Sequence, residues 1–381
     1  MDIKGSLIYL IWCSLNDEIP DEALLRETDF EQLFQICQKH KITALTDLSV
    51  HNLSHDVIND KIKEKFYHKY LNVQRINILF EAEKERIFEV FEKNKIWYLP
   101  LKGCIIKDVW PQSEIREHAD IDILFDRTYA DKVRTLMADM GYDTKEFGKS
   151  YHDTYIKKPI YNFEMHRYLF TNDNEKTTEY YMDINKKMFP AENQKYQYRL
   201  SCEDFYIYFI AHAVKHLRLG GTGLRTLVDI YLYLQNVPLN FSYISEQLSV
   251  LEISDGEEKL RNISNKLFSL ENNGNLSLLE DDEKNLLNFI FLSGAYGTIE
   301  SKAKLELSAL SSNQTFSFKN KFIYWTKRIF AVPARYNMRY PKLYKNKVTR
   351  PLINFVRFYN GLTKNRKYLI SEFRTVRKMK K

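Results

Sequence analysis

Between Ile62 and Asn94, the apolar residues Phe66, Tyr70, Val73, Ile76, Phe80, Ile87 and Phe91 recur at spacings near three, four and seven. That is the period of an amphipathic helix, sustained far beyond an ordinary helix length. It commits the region from Met1 to about Asn94 to helices. The rest of the chain agrees, because only 12 Gly and 9 Pro in 381 residues argue against a loop-rich or all-β protein. A hydrophobic content of 44% can fill the cores of two or three domains, and 14% aromatic residues exceed what a disordered chain carries.

The helical pattern breaks between about Ile96 and Phe170. "IWYLP" (96–100) reads as a short strand, "GCIIKDVW" (103–110) as a two-turn helix and "PQSEIREH" as a loop. In "HADIDILF" (118–125), Ile121, Ile123 and Phe125 alternate as the buried face of a strand should. Asp126 is placed to N-cap a helix ending at Met140, with Gly141 at the C′ position. "YHDTYIKK" and "IYNFEMHRY" read as two more strands turning near Pro159. After about Thr171 helices return, in "CEDFYIYFIAHAVKHL" and "LRTLVDIYLYL". The expected fold class is α+β and predominantly helical, with a small mixed β-sheet core flanked by N- and C-terminal helical regions. The expected regions are 1–95 (helical), 96–170 (sheet core), 171–315 (helical) and 316–381 (basic and aromatic).

Strands disfavour Asp, and two like charges at spacing two repel, yet Asp120 and Asp122 share the polar face of "HADIDILF". The same alternation puts Asn162, Glu164 and His166 on one face of "IYNFEMHRY" and Tyr161, Phe163 and Met165 on the other. If the two strands are near neighbours, Glu164 joins the aspartates. Three clustered carboxylates need a cation to stay ionised, and an oxygen-rich set of this kind suits Mg²⁺. A solvated strand face is the alternative for the D-x-D alone. Lys102-Gly103, between a strand and a short helix, adds a positive charge and a backbone that phosphate can approach.

Strand, Lys102-Gly103 and helix, then Arg116, "DIDIL", a helix with "GY" and a strand ending acid-x-His together resemble the uncharacterised bacterial nucleotidyltransferase-like family. It is a branch of the nucleotidyltransferase superfamily that includes DNA polymerase β. "HAVKHLRLGGTGLRTLVDIYLYL" (212–234) and "SGAYGT" (293–298) are similar to later segments of that family. The resemblance implies a nucleotidyltransferase core in the sheet region and transfer of NMP from an NTP to a hydroxyl or phosphate acceptor, with pyrophosphate released. It implies Mg²⁺ or Mn²⁺ held by Asp120, Asp122 and Glu164, with Glu164 as the third metal ligand or the base. Lys102, Gly103 and Cys104 would hold the triphosphate, with Arg116 and His166 beside them. The chain departs from the superfamily in two places: Cys104 stands where a serine is usual, and Glu164 where Asp is common. A catalytically impaired nucleotide- or RNA-binding protein of the same fold is the alternative.

His212 and His216 share a helix face. Their spacing fits a zinc pair, two hydrogen-bonded interface histidines, or, on the family reading, a cleft edge where His212, Lys215, His216 and Arg225 touch phosphates or acceptor. Asp229 is placed to pair with Arg225, four residues earlier.

The net charge of +7 is uneven: residues 316–381 hold 19 Lys and Arg against one acid, Glu372, which leaves −11 for the remainder. This basic, aromatic end suits nucleic acid, an anionic surface, or folding back on the acidic body. No stretch approaches the roughly 20 apolar residues of a membrane span. "SLIYLIWCSL" (6–15) reads as a buried helix. The four cysteines are widely spaced with no CxxC pair, which suggests reduced thiols and a cytoplasmic location.

Overall fold

The computed structural model describes residues 1–170, 175–308, 317–332, 336–363 and 365–379. The region boundaries expected after 170 and after 315 involve segments 171–174 and 309–316, which lie outside the described residues.

The N-terminal region is helical: α1 (Ile3–Asn16), α2 (Phe30–His40), α3 (Thr43–Val50) and α4 (Asp60–Lys93). The apolar α1 is buried from Gly5 to Ser14, as expected for "SLIYLIWCSL". The 34 residues of α4 span about 50 Å at 1.5 Å per residue. The helix begins where the Asn59 side chain accepts from Lys61 N–H. It ends where Lys95 turns left-handed (φ 57°) and Ile96 N–H returns to the Phe91 carbonyl at 3.0 Å. That closure consumes Ile96, so the first strand is shorter than its apolar run.

The core follows as β1 (Tyr98–Pro100), α5 (Gly103–Ile106), β2 (Ile121–Phe125), α6 (Ala130–Asp139), β3 (Asp143–Thr144), β4 (His152–Lys157) and β5 (Tyr161–His166). "GCIIKDVW" divides into α5 and a tighter turn, Lys107–Val109. Asp126 caps a 3₁₀ turn that leads into α6, and Gly141 closes the helix at φ 85°. The sheet order is β1-β2-β5-β4-β3. Strands β2 and β5 run parallel, β1 is antiparallel to β2, and β4 is antiparallel to both β5 and β3. The sheet is therefore mixed, as expected.

Alternation gives the sheet two different faces. Ile121, Ile123, Phe125, Phe163 and Met165 pack with Phe80, Ile87 and Phe91 of α4 and Val133 and Met137 of α6. Leu99 and Leu124 turn the other way, into the larger core shared with the helical layer. That layer comprises α7 (Glu175–Tyr180), the short strands β6 (Phe189–Pro190) and β7 (Tyr198–Arg199), α8 (Cys202–Arg218), α9 (Leu224–Asn236), α10 (Phe241–Val250), α11 (Ser254–Phe268), α12 (Asp281–Ser293) and α13 (Ile299–Ser308).

The glycine turn "LGGTGLR" between α8 and α9 packs directly on "SGAYGT" after α12. A Cβ on Gly221 (φ 117°) would lie 2.1 Å from Ser293 Cβ. Ser293 Oγ donates to Thr222 O at 3.0 Å, and Ser301 Oγ to Gly220 O at 2.6 Å. Two motifs some 70 residues apart are thus one interlocked corner.

The basic end forms α14 (Phe318–Phe330), α15 (Tyr336–Arg339), α16 (Pro341–Lys345), α17 (Leu352–Thr363) and α18 (Arg366–Lys378). It joins the body through a small core of Ala303, Leu307, Tyr324 and Val376. Glu372 is buried there and accepts from Tyr324 Oη at 2.6 Å and Arg328 Nε at 2.9 Å. Among the described residues, no helix is long and apolar enough to cross a membrane.

Candidate active site

The parallel pairing of β2 with β5 sets Asp122 opposite Glu164. Both side chains lie on the face turned away from α4 and α6, as alternation requires. Asp122 is 5% exposed, and its Oδ1 accepts from Lys102 Nζ at 2.7 Å and from His166 Nε2 at 2.7 Å. Glu164 Oε2 lies 3.5 Å from His152 Nδ1 and 3.8 Å from His166 Nε2. Asp120 falls one residue before β2, in the entering loop, and accepts no hydrogen bond from a described residue.

Lys102 reaches Asp122 from a strained turn. Its φ of 45° and ψ of −114° lie outside the regions open to a bulky L-residue, a cost that recurs at functional sites. The turn is fixed on both sides, by Leu101 N–H to Asp122 O and by Ile106 N–H to Lys102 O, both 3.0 Å. Gly103 is required at the next position, because a Cβ there would lie 2.7 Å from Arg116 Nη1.

Three acids and one ammonium share this pocket, and their ionisation divides accordingly. Burial opposes the charge on Asp122, but Lys102 and His166 outweigh it and hold the carboxyl well below the usual range. Burial raises Asp120, and the Asp122 charge raises it further. Burial and the two aspartates push Glu164 up to about 8. Burial lowers Lys102, yet Asp122 more than compensates and keeps it protonated. His166 is buried and neutral, so its Nε2–H is the donor to Asp122. Two of the three carboxyls therefore lack the positive charge that would ionise them. Asp120, Asp122 and Glu164 are the oxygen donors that could hold a divalent cation here, while the three side chains whose ligand atoms converge within 4.8 Å are His152, Glu164 and His166.

Arg116 is committed elsewhere. Its Nε and Nη2 donate to the two oxygens of Asp229 at 2.8 and 2.7 Å, and Trp110 Nε1 adds a third bond at 2.9 Å. This corrects the expected Arg225–Asp229 pairing: the planar fork of Arg116 occupies both carboxylate oxygens, and Arg225 donates instead to the Glu117 carbonyl. Glu117 in turn accepts from Thr43 N–H at 2.7 Å. The segment Arg116–Glu117 thereby ties α3, the core and α9 together, while Arg116 Nη1 remains beside Gly103.

Cys104 lies in the core behind the sheet, with Sγ 4.0 Å from Asp122 O, and burial pushes its thiol up to about 12. His212 and His216 bond to each other, Nε2 to Nε2 at 3.0 Å. Burial lowers both, His216 to about 4, and the nearby Lys102 contributes. Lys215 Nζ sits 4.5 Å from the Tyr151 ring centroid. Among the described residues no third ligand joins the His212–His216 pair.

Two site residues went unnoticed in the sequence. His152 lies directly across from His166 in the β4–β5 hairpin. The pairing is symmetric about Pro159, so reflecting His166 through that residue finds it. His118 packs edge-on against Phe80 at 5.4 Å, with both ring nitrogens buried and without hydrogen bonds, and Nδ1 faces Gly103. No local pattern marks it.

The model of a family described as "Uncharacterised nucleotidyltransferase" matches residues 26–269, nearly two thirds of the chain. The match takes in all five strands of the main sheet and the helices α8 and α9. No curated protein matches the chain, and no solved structure does.

Proposed function

We propose, for a chain that belongs to the uncharacterised nucleotidyltransferase family, that it transfers NMP from an NTP to a hydroxyl or phosphate acceptor. The observation that carries this reading is the register that sets Asp122 beside Glu164, with Asp120 in the loop one residue before the same strand. Asp120, Asp122 and Glu164 would hold Mg²⁺ or Mn²⁺, whose charge would stabilise the phosphoryl oxygens and the leaving pyrophosphate.

The protein's own groups do the rest. Lys102 balances Asp122 in the resting site and would be free to contact the triphosphate if a cation were held by that carboxylate. Gly103 lets the Arg116 guanidinium lie close against the backbone beside Lys102. His166 fixes the orientation of Asp122 through its 2.7 Å bond. In the transfer an acceptor oxygen forms a bond to the α-phosphorus, the bond to the β-phosphate oxygen breaks, and pyrophosphate leaves. The acceptor's proton passes to a carboxylate of the cluster, for which the partly exposed Glu164 is the best placed when ionised.

The second reading, a nucleotide-binding protein without turnover, draws on Cys104, whose buried thiol cannot replace a phosphate-facing serine hydroxyl. One experiment separates the two. The heat of binding of ATP, GTP, CTP and UTP is measured with and without Mg²⁺, alongside pyrophosphate release. Metal-dependent binding with pyrophosphate release, lost in Asp120→Asn/Asp122→Asn, supports transfer. Binding without release supports the second reading, and no binding defeats both.

A further inference from the structure

Beside the carboxylates lies a feature that an all-oxygen magnesium site does not use. One ligand atom each of His152, Glu164 and His166 lies within 4.8 Å of the other two, and among the described residues this is the group of three ligand side chains that converges in this way. We propose that His152, Glu164 and His166, with Asp122 at their edge, form a nitrogen-bearing cation site that takes a divalent transition-metal ion of the Mn²⁺–Zn²⁺ series in preference to Mg²⁺. The inference deepens the nucleotidyl-transfer reading and rests on it.

Three observations carry it. First, His152 Nδ1 is buried and makes no hydrogen bond. It faces Glu164 Oε2 at 3.5 Å, too far for a good hydrogen bond. Ligand atoms about 2.0–2.2 Å from a common ion lie roughly 3 Å apart, so a small inward shift brings these two onto one centre. Second, His166 Nε2 stands 3.8 Å from that same oxygen, and its Nδ1 is buried without a hydrogen bond, so the proton that Nε2 gives to Asp122 can be carried on Nδ1 when Nε2 turns to an ion. Third, the cluster is accessible at one end only. The side chains of His152 and Glu164 are 17% and 19% exposed and that of His166 is 1% exposed, so an ion has a way in and a closed floor.

The bland reading is a packed aromatic corner, with Tyr151 edge-on to His152 at 4.6 Å. Packing accounts for the ring planes. It does not explain why His152 Nδ1 and His166 Nδ1 are buried without a hydrogen-bond partner beside Glu164. The preference follows from ligand chemistry: Mg²⁺ favours oxygen and retains its waters, whereas imidazole nitrogen favours the later ions.

The test uses the full chain and Mn²⁺ alone, without nucleotide. Pulsed electron paramagnetic resonance detects ¹⁴N coupled to bound Mn²⁺, and titration gives its affinity against Mg²⁺. The expected result is nitrogen coupling in the wild type and Mn²⁺ binding at least tenfold tighter than Mg²⁺. Coupling should weaken in His152→Gln and disappear in His152→Gln/His166→Gln. His152→Gln keeps a polar side chain in β4, so it stays informative if the double variant fails to fold. Mn²⁺ bound with no nitrogen coupling and no preference over Mg²⁺ overturns the proposal and leaves nucleotidyl transfer standing. Failure of Mn²⁺ to bind at all also overturns the proposal, and the Mg²⁺-dependent NTP binding measured above then decides nucleotidyl transfer separately.

Discussion

Asp122 and Glu164 are partners across the parallel pairing of β2 with β5, so a single register places two acids side by side on one face of the sheet. A one-residue slip of β5 against β2 would send Glu164 to the opposite, apolar face, where it would meet Phe80 and the other neighbours of Phe163 instead of Asp122. The register is therefore as much a part of the site as the acids themselves. If they hold the catalytic ion, Glu164→Gln keeps the shape and removes the charge. NTP turnover should fall about 100-fold or more, and Asp120→Asn should reduce it to background. Pyrophosphate release measured at saturating Mg²⁺ checks both. Turnover that persists in Asp120→Asn counts decisively against the proposed chemistry.

Lys102 occupies the position of a counter-ion, and that suggests a thermal test. Removing one partner of a buried ion pair typically costs about 3–5 kcal/mol. Lys102→Met should accordingly lower the melting temperature in metal-free buffer. Adding Mg²⁺ should then raise it more in the variant than in the wild type, because the ion supplies the missing charge. Equal Mg²⁺ shifts in the two proteins would show that no cation binds against Asp122.

Arg116 and Asp229 form a buried, two-bond pair between core and helical layer. Asp229→Asn leaves a buried guanidinium without its counter-charge and should cost about 3–5 kcal/mol in urea denaturation. Arg116→Met/Asp229→Leu removes both charges and should recover most of that loss. Additive losses in the double variant would mean that the pair is not coupled.

Asp47 in α3 offers a stability readout away from the site. It is 3% exposed, its Oδ1 has no hydrogen-bond partner, and burial pushes its carboxyl up to about 7. The unfolded value is about 3.9. The folded chain thus holds this proton more tightly, and the group's stabilising contribution is complete below about pH 4. It is lost as pH rises toward 7, beyond which a buried charge goes unpaired. Asp47→Asn should therefore gain on the wild type between pH 4.5 and pH 8, by an amount on the order of a few kcal/mol. A stability difference that stays constant with pH would show that the folded carboxyl ionises normally.

The strand alternation and the turn at Pro159 were legible because both are local rules. They place Asp122, Glu164 and His166 on one face before any packing is known. Asp120 was read as part of the strand, but the ladder begins one residue later, at Ile121. Arg116 and Asp229 are 113 residues apart, and no periodicity links them. The i,i+4 rule pointed instead to Arg225, whose guanidinium is drawn to the Glu117 carbonyl. His152 was within reach of hairpin symmetry, whereas His118 owes its place to a loop fixed by tertiary contacts. The two glycine motifs were visible as motifs, but only the fold shows that each fills the space the other leaves.

Glu372 is the single acidic side chain between residues 316 and 381, and it is enclosed with Tyr324 and Arg328. Its charge is spent inward, so the outer face of the final helices carries one sign only. Such a face draws its neutralising ions from the surrounding solution, and any polyanion that replaces them is rewarded by the entropy of the ions set free. A polyanion bound there would be held less tightly as the salt concentration rises.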